Sequence, residues 1–134
     1  MINTSLILNT AKKSCFKAGD PGNCRFRVSA IITDSKGNIL SKALNSYEKT
    51  HPIQAAYANK VKRPTKIYLH AEIAALIKCR KKPHTIIVSR FLKDGSMALA
   101  KPCPVCQLAL KEAGVKKVCY TTKNGLVEYK VRHI

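Results

Sequence analysis

The chain has 134 residues, 46% of them hydrophobic and 24% charged, which suits a single folded domain over residues 1–134 and argues against disordered, collagen-like or coiled-coil chains. No apolar run approaches the roughly 18 residues of a membrane span, and Met1 to Thr10 lacks the basic start of a secretory signal, so the expected setting is a reducing cytoplasm with no membrane partner. The 25 Lys and Arg against 7 Asp and Glu give a formal +18, a balance that favours phosphate-bearing partners.

In chain order, Leu8, Ala11 and Cys15 recur at helical spacing between lysines and predict an amphipathic helix over Ser5–Lys17. Gly19-Asp20-Pro21-Gly22-Asn23 is a breaker cluster and predicts a loop. Phe26, Val28 and Ala30 alternate with Arg25, Arg27 and Ser29, and Ile31-Ile32 follows, which predicts a strand. Asp34 to Asn38 reads as a turn and Ile39 to Leu44 as the second strand of a hairpin. Asn45 to Lys66 is polar and irregular, with a short helix allowed over Gln54–Asn59. Leu69 to Lys81 has helical periodicity, closed by Pro83. Thr85-Ile86-Ile87-Val88 is a short apolar run of the kind found in central strands.

Phe91 to Ala100 carries the turn signal Asp94-Gly95. Pro104 opens a further helix whose apolar set is Cys106, Ala109, Leu110 and Ala113, with Gly114 as its cap. Val115–Thr121 and Leu126–Val131 read as strands joined by the tight turn Lys123-Asn124-Gly125. The order αββαβαββ predicts an α/β fold: a three-layer α-β-α sandwich around a five-stranded mixed sheet, ending in an antiparallel β-hairpin.

Six cysteines, in a chain without an export signal, read as metal ligands or catalytic groups before disulfides. Only Cys103 and Cys106 are close together; Cys15, Cys24, Cys79 and Cys119 read as small core residues. In Pro102-Cys103-Pro104-Val105-Cys106 the two sulfurs, three positions apart at a helix start, can point to one spot, where the positive end of the helix dipole favours thiolates. Two such thiolates are half of a zinc site. His70 heads another predicted helix and completes a three-ligand set, the number that leaves a position for water in catalytic zinc sites. Glu72 lies two positions from His70, close enough to move a proton without binding the metal.

His70-Ala71-Glu72 followed by Pro102-Cys103-Pro104-Val105-Cys106 resembles the signature of the cytidine deaminase superfamily, the zinc-dependent nucleoside, nucleotide and nucleic-acid deaminases. The resemblance covers nearly the whole chain. It implies hydrolytic loss of ammonia from an amino-bearing base, with Zn2+ held by His70, Cys103 and Cys106. It further implies zinc-bound hydroxide as the nucleophile and Glu72 as the proton shuttle that serves the ring nitrogen and then the leaving amine. Ala71 matches the small residue whose backbone N–H meets the base carbonyl. Asn45 resembles the asparagine that holds sugar or base, and His51 is placed at the pocket mouth. A homo-oligomer is expected.

The subgroup motifs diverge. Deoxycytidylate deaminases usually carry x-Asn-Ala after the HAE triplet, where this chain has Ile73-Ala74-Ala75. The tRNA adenosine deaminases share HAEI but usually have Gly-Ala soon after the CxxC, where this chain has Gln107-Leu108-Ala109. The C-terminal hairpin resembles the nucleoside cytidine deaminases and several toxin-like members. Aromatic residues are only 6% of the chain, thin for the stacking that polynucleotide grooves use. The expected reaction is therefore deamination of a free cytosine nucleoside or nucleotide, C to U. A deaminase of single-stranded DNA or RNA is the alternative, with basic runs such as Lys60–Lys66 and Lys78–Lys82 as its surface. A non-catalytic, zinc-stabilised nucleic-acid-binding module is the second alternative, for which Glu72 has no use.

Overall fold

The computed structural model describes residues 4–17, 28–45, 51–62, 69–92 and 94–131. The Gly19–Asn23 loop, the Phe26 start of the first strand, Cys24, Arg63 and Lys66 fall outside them. The elements are α1 (Thr4–Lys17), β1 (Val28–Thr33), β2 (Ile39–Leu44), α2 (Pro52–Lys60), α3 (Ala71–Lys78), β3 (Thr85–Phe91), β4 (Met97–Ala98), α4 (Pro104–Glu112), β5 (Lys117–Thr122) and β6 (Gly125–Lys130).

β3 is the central strand. It pairs antiparallel with β1, from Val28↔Arg90 to Thr33↔Thr85, and parallel with β5, from Thr85↔Lys117 to Val88↔Tyr120. β2 and β6 form the edges of the order β2-β1-β3-β5-β6. Strand alternation sorts the core into two layers. Ile31, Ile87 and Phe91 pack with Ile7, Ala11 and Cys15 of α1 on one face. Ala30, Ile32, Ile86 and Val88 pack with Ala71, Ala74 and Ala75 of α3 and Leu110 of α4 on the other. α2 covers the second layer, with Ala58 against Ile73, Val105, Cys106 and Ala109. Ile86, Ile87 and Val88 are fully buried, each stabilising the fold by about 1.5–3 kcal/mol before entropy is counted.

The mixed sheet, the helices on both faces and the C-terminal hairpin match the sequence expectation. The strand count does not: the sheet has six strands, since β4 pairs with the end of β3 through Arg90↔Ala98 and Phe91↔Met97. β3 continues three residues beyond its apolar run, and the Asp94-Gly95 turn folds Met97 back on it. Gly95 has φ +91, a left-handed conformation that suits glycine. A two-residue strand carries no alternation for a pattern to reveal. α3 is also shorter than its periodicity, because Cys79 leaves the helix with ψ 113 well before Pro83. Ile77, placed by periodicity on the apolar face, is 41% exposed.

Cys15 and Cys119 are buried and Cys79 is half-buried. No helix among the described residues is long and apolar enough to cross a membrane.

Candidate active site

The topology brings two helix N-termini to the end of the sheet where β3 finishes. α3 runs back along the sheet from His70, and α4 starts at Cys103 after β3 and β4. Ser41 of β2 fixes α3 by donating to the Ala75 carbonyl at 2.8 Å. Thr121 of β5 fixes the approach to α4, accepting from Arg90 N–H at 3.1 Å and donating to the Ala98 carbonyl at 2.7 Å. Pro104 occupies the first turn of α4, and Cys103 caps that helix in extended conformation.

His70 is the cap residue of α3, with φ −78 and ψ 153. Its Nδ1 lies 3.2 Å from Cys106 Sγ and 3.5 Å from Cys103 Sγ. All three donor atoms lie within 4.8 Å of one another. A tetrahedral zinc with ordinary bond lengths separates nitrogen and sulfur ligands by about 3.5 Å and two sulfurs by about 3.8 Å, so this donor set fits zinc. Among the described residues it is the one cluster of three such side chains.

The electrostatics agree with a cation site. The hydrogen bond from Cys106 and the helix N-terminus, aided by His70, bring the Cys103 thiol down to about 3. The same hydrogen bond, together with burial, holds Cys106 protonated far up its range. The pair thus shares one proton between two sulfurs, and a metal cation takes that proton's place.

Glu72 is 5% exposed. Burial pushes its carboxyl up; its own backbone N–H, nearby His70 and a hydrogen bond from Cys106 oppose that rise. Glu72 therefore adjoins the sulfur cluster without belonging to the three-donor set. Ala71 is fully buried at the first helical position, where backbone N–H groups have no acceptor within the helix.

The remaining expected contacts lie in supporting structure. Asn45 follows β2, and its Oδ1 accepts from Val28 N–H at 2.9 Å while its own N–H donates to the Val28 carbonyl at 3.1 Å. His51 caps α2, its Nδ1 accepting from Ile53 N–H at 3.1 Å.

Two glutamines have a role that the sequence pattern did not assign them. Gln54, fully buried on α2, accepts from His70 N–H through Oε1 at 3.2 Å. Its only sequence signal is a polar residue one turn after a capping histidine. Gln107 donates from Nε2 to the Pro102 carbonyl at 2.7 Å, and its N–H donates to the Cys103 carbonyl at 2.8 Å. The position that departs from the tRNA deaminase pattern thus clamps the turn that carries both cysteines.

Three protein donors beside a buried carboxyl, set on an α-β-α sandwich, are among the described residues the donor set found in catalytic zinc centres. Within that class the chain belongs to the cytidine and deoxycytidylate deaminase family, whose zinc-binding region matches residues 1–122. Its fold is similar to the dCMP deaminase of cyanophage S-TIM5 solved in complex with dCMP and dUMP, at 22% identity and TM-score 0.56, over 89% of this chain and 80% of that one. The apo form of that enzyme aligns at 22% identity and TM-score 0.50, over 87% and 82% of the two chains. No curated protein sequence matches the chain significantly.

Proposed function

We propose that the chain, acting as one domain in the cytoplasm, deaminates a free cytosine nucleoside or nucleotide hydrolytically, converting C to U and releasing ammonia. The observation that carries this reading is the buried Glu72 beside the His70, Cys103 and Cys106 donors. Zinc held by those three residues supplies Lewis acidity, which makes water a competent nucleophile near neutral pH. Glu72 takes the proton of the attacking water, hands it to the ring nitrogen and then serves the leaving amine. Its burial favours the protonated form that this delivery needs.

Ala71 presents its backbone N–H to the base carbonyl, and its small side chain allows close approach. Asn45, anchored to Val28, contacts sugar or base. His51 sits at the pocket mouth while its Nδ1 holds the start of α2. Gln54 fixes the His70 backbone. A homo-oligomeric assembly belongs to the same reading.

A monophosphate is the first substrate to try, since the cyanophage enzyme was solved with dCMP and dUMP. Cytidine, deoxycytidine, their monophosphates and single-stranded oligonucleotides should be screened together for ammonia release. Turnover of a free nucleoside or nucleotide is expected. Deamination of the oligonucleotide alone overturns the substrate, and inert behaviour of a zinc-loaded protein toward all of them overturns the enzyme.

A further inference from the structure

The end of the sheet opposite His70 and Cys103 gathers four chain segments that are distant in sequence. His84 N–H donates to the Thr33 carbonyl at 3.0 Å, Lys116 N–H to the His84 carbonyl at 2.9 Å and Val131 N–H to the Lys116 carbonyl at 2.9 Å. These bonds stitch the β1–β2 turn, the α3–β3 loop, the α4–β5 loop and the end of β6 into one edge.

Along it stand Lys36, Arg80, Lys81, Lys82, Lys116 and Lys130, all exposed. The acidic groups nearby are committed. Asp34 accepts the Lys36 and Asn38 backbone N–H groups at 2.9 Å each, and Glu128 pairs with Lys117 at 2.9 Å. Between β1 and β6 the row crosses three strand spacings, about 14 Å. That span meets several successive phosphates of a polynucleotide, whereas one mononucleotide would use one or two of these cations.

No aromatic residue is exposed among the cations of this row in the described residues, and the exposed large apolar side chains beside it are Ile39, opposite Thr33, and Ile77, in the last turn of α3 before Arg80. Base stacking needs aromatic groups, and two isolated aliphatic side chains do not make the apolar face that insertion into a lipid interface needs. The chemistry that remains is charge on a phosphodiester backbone.

We propose that this basic edge docks the phosphodiester backbone of nucleic acid, without base selection, at the end of the molecule away from the deaminase centre. Nucleic acid held there is not presented to Glu72, so the cations act as a tether and not as a substrate groove.

The test uses the zinc-loaded full chain and cytosine-free probes: single-stranded oligothymidylate, a thymine–adenine duplex, and phosphatidylserine-containing vesicles. Arg80→Glu, Lys81→Glu and Lys82→Glu together are compared with Lys13→Glu, Lys42→Glu and Lys123→Glu, which make the same charge change off the row. The loop variant should bind nucleic acid at least about 10-fold more weakly in low salt. It should also flatten the slope of log affinity against log salt by about 2, or 0.7 to 0.9 per lost phosphate contact. The control variant should stay within about threefold of the parent, and zinc content should be unchanged in both. The nucleic acid that loses more affinity identifies the form the edge prefers. Equal weakening by the control set, or a loss confined to vesicles, overturns the proposal. These readouts do not involve deamination and stand apart from the substrate assigned above.

Discussion

The two ends of the sheet are built from the same two helices and differ in what those helices present. At the N-termini of α3 and α4 stand Glu72 and the two thiols, in or beside the buried core. At the C-termini stand Lys78 and Lys111 in the last turns, followed by the exposed cations of the far edge. Each helix has a lysine in its last turn, at the negative end of its dipole, and Cys103 is a thiolate at the positive end of α4. The groups at the site end are desolvated and fixed, whereas the cations of the far edge are solvated.

The largest expected effect separates the ends completely. Cys103→Ala with Cys106→Ala should abolish zinc content, measured by metal analysis, and deamination with it, while oligothymidylate binding at the far edge stays near the parent value. Zinc retained in that variant would mean the donors are elsewhere. Next, Glu72→Ala should keep its zinc and its melting behaviour and lose about 10²–10⁴-fold in turnover. Near-normal turnover with verified zinc would remove Glu72 from the mechanism.

A finer division lies within the site end, between donors and the groups that hold them. Gln54→Leu removes the oxygen that the part-buried His70 N–H donates to. A chelator competition should show zinc affinity reduced about 10-fold, with Gln54→Glu, which keeps an acceptor oxygen, closer to the parent. The smallest effect is His51→Ala, which removes the α2 cap. It should cost about 0.5–2 kcal/mol in denaturant unfolding, with little change in KM if the imidazole serves the helix alone and a clear rise in KM if it also meets substrate.

How much of this was legible in the sequence follows the same division. Cys103 and Cys106 announce themselves because three positions at a helix start aim both sulfurs at one spot, and His70 and Glu72 join them through the family signature. β2, the hairpin and the β3 core were legible because burial on one or both faces writes a period or an apolar run. β4 was not, since two residues hold no period. Gln54 was not, because its partner is a backbone N–H from another element, set by the packing of Ala58 against Ile73 and Val105. The basic edge was scattered through the sequence as unrelated lysines, and only the strand order gathers Lys36, Lys82, Lys116 and Lys130 into one row. Of the two clear basic runs, Lys78–Lys82 supplies Arg80, Lys81 and Lys82 of the row, while Lys60–Lys66 lies on the approach before His70, with Arg63 and Lys66 outside the described residues.

The central position of β3 also shapes how the chain reaches this structure. Thr85 must find Thr33 on one side and Lys117 on the other, and the β1 pairing closes a loop that contains β2, α2 and α3. Contacts so far apart in sequence make the folding barrier largely one of chain closure, and mixed α/β topologies of this kind fold more slowly than helical bundles. His70 lies inside that loop and Cys103 beyond it, so the metal donors converge only once the sheet has closed. The chain then captures its metal as a late event in assembly, and refolding in the presence of a chelator should reach the sheet at an unchanged rate.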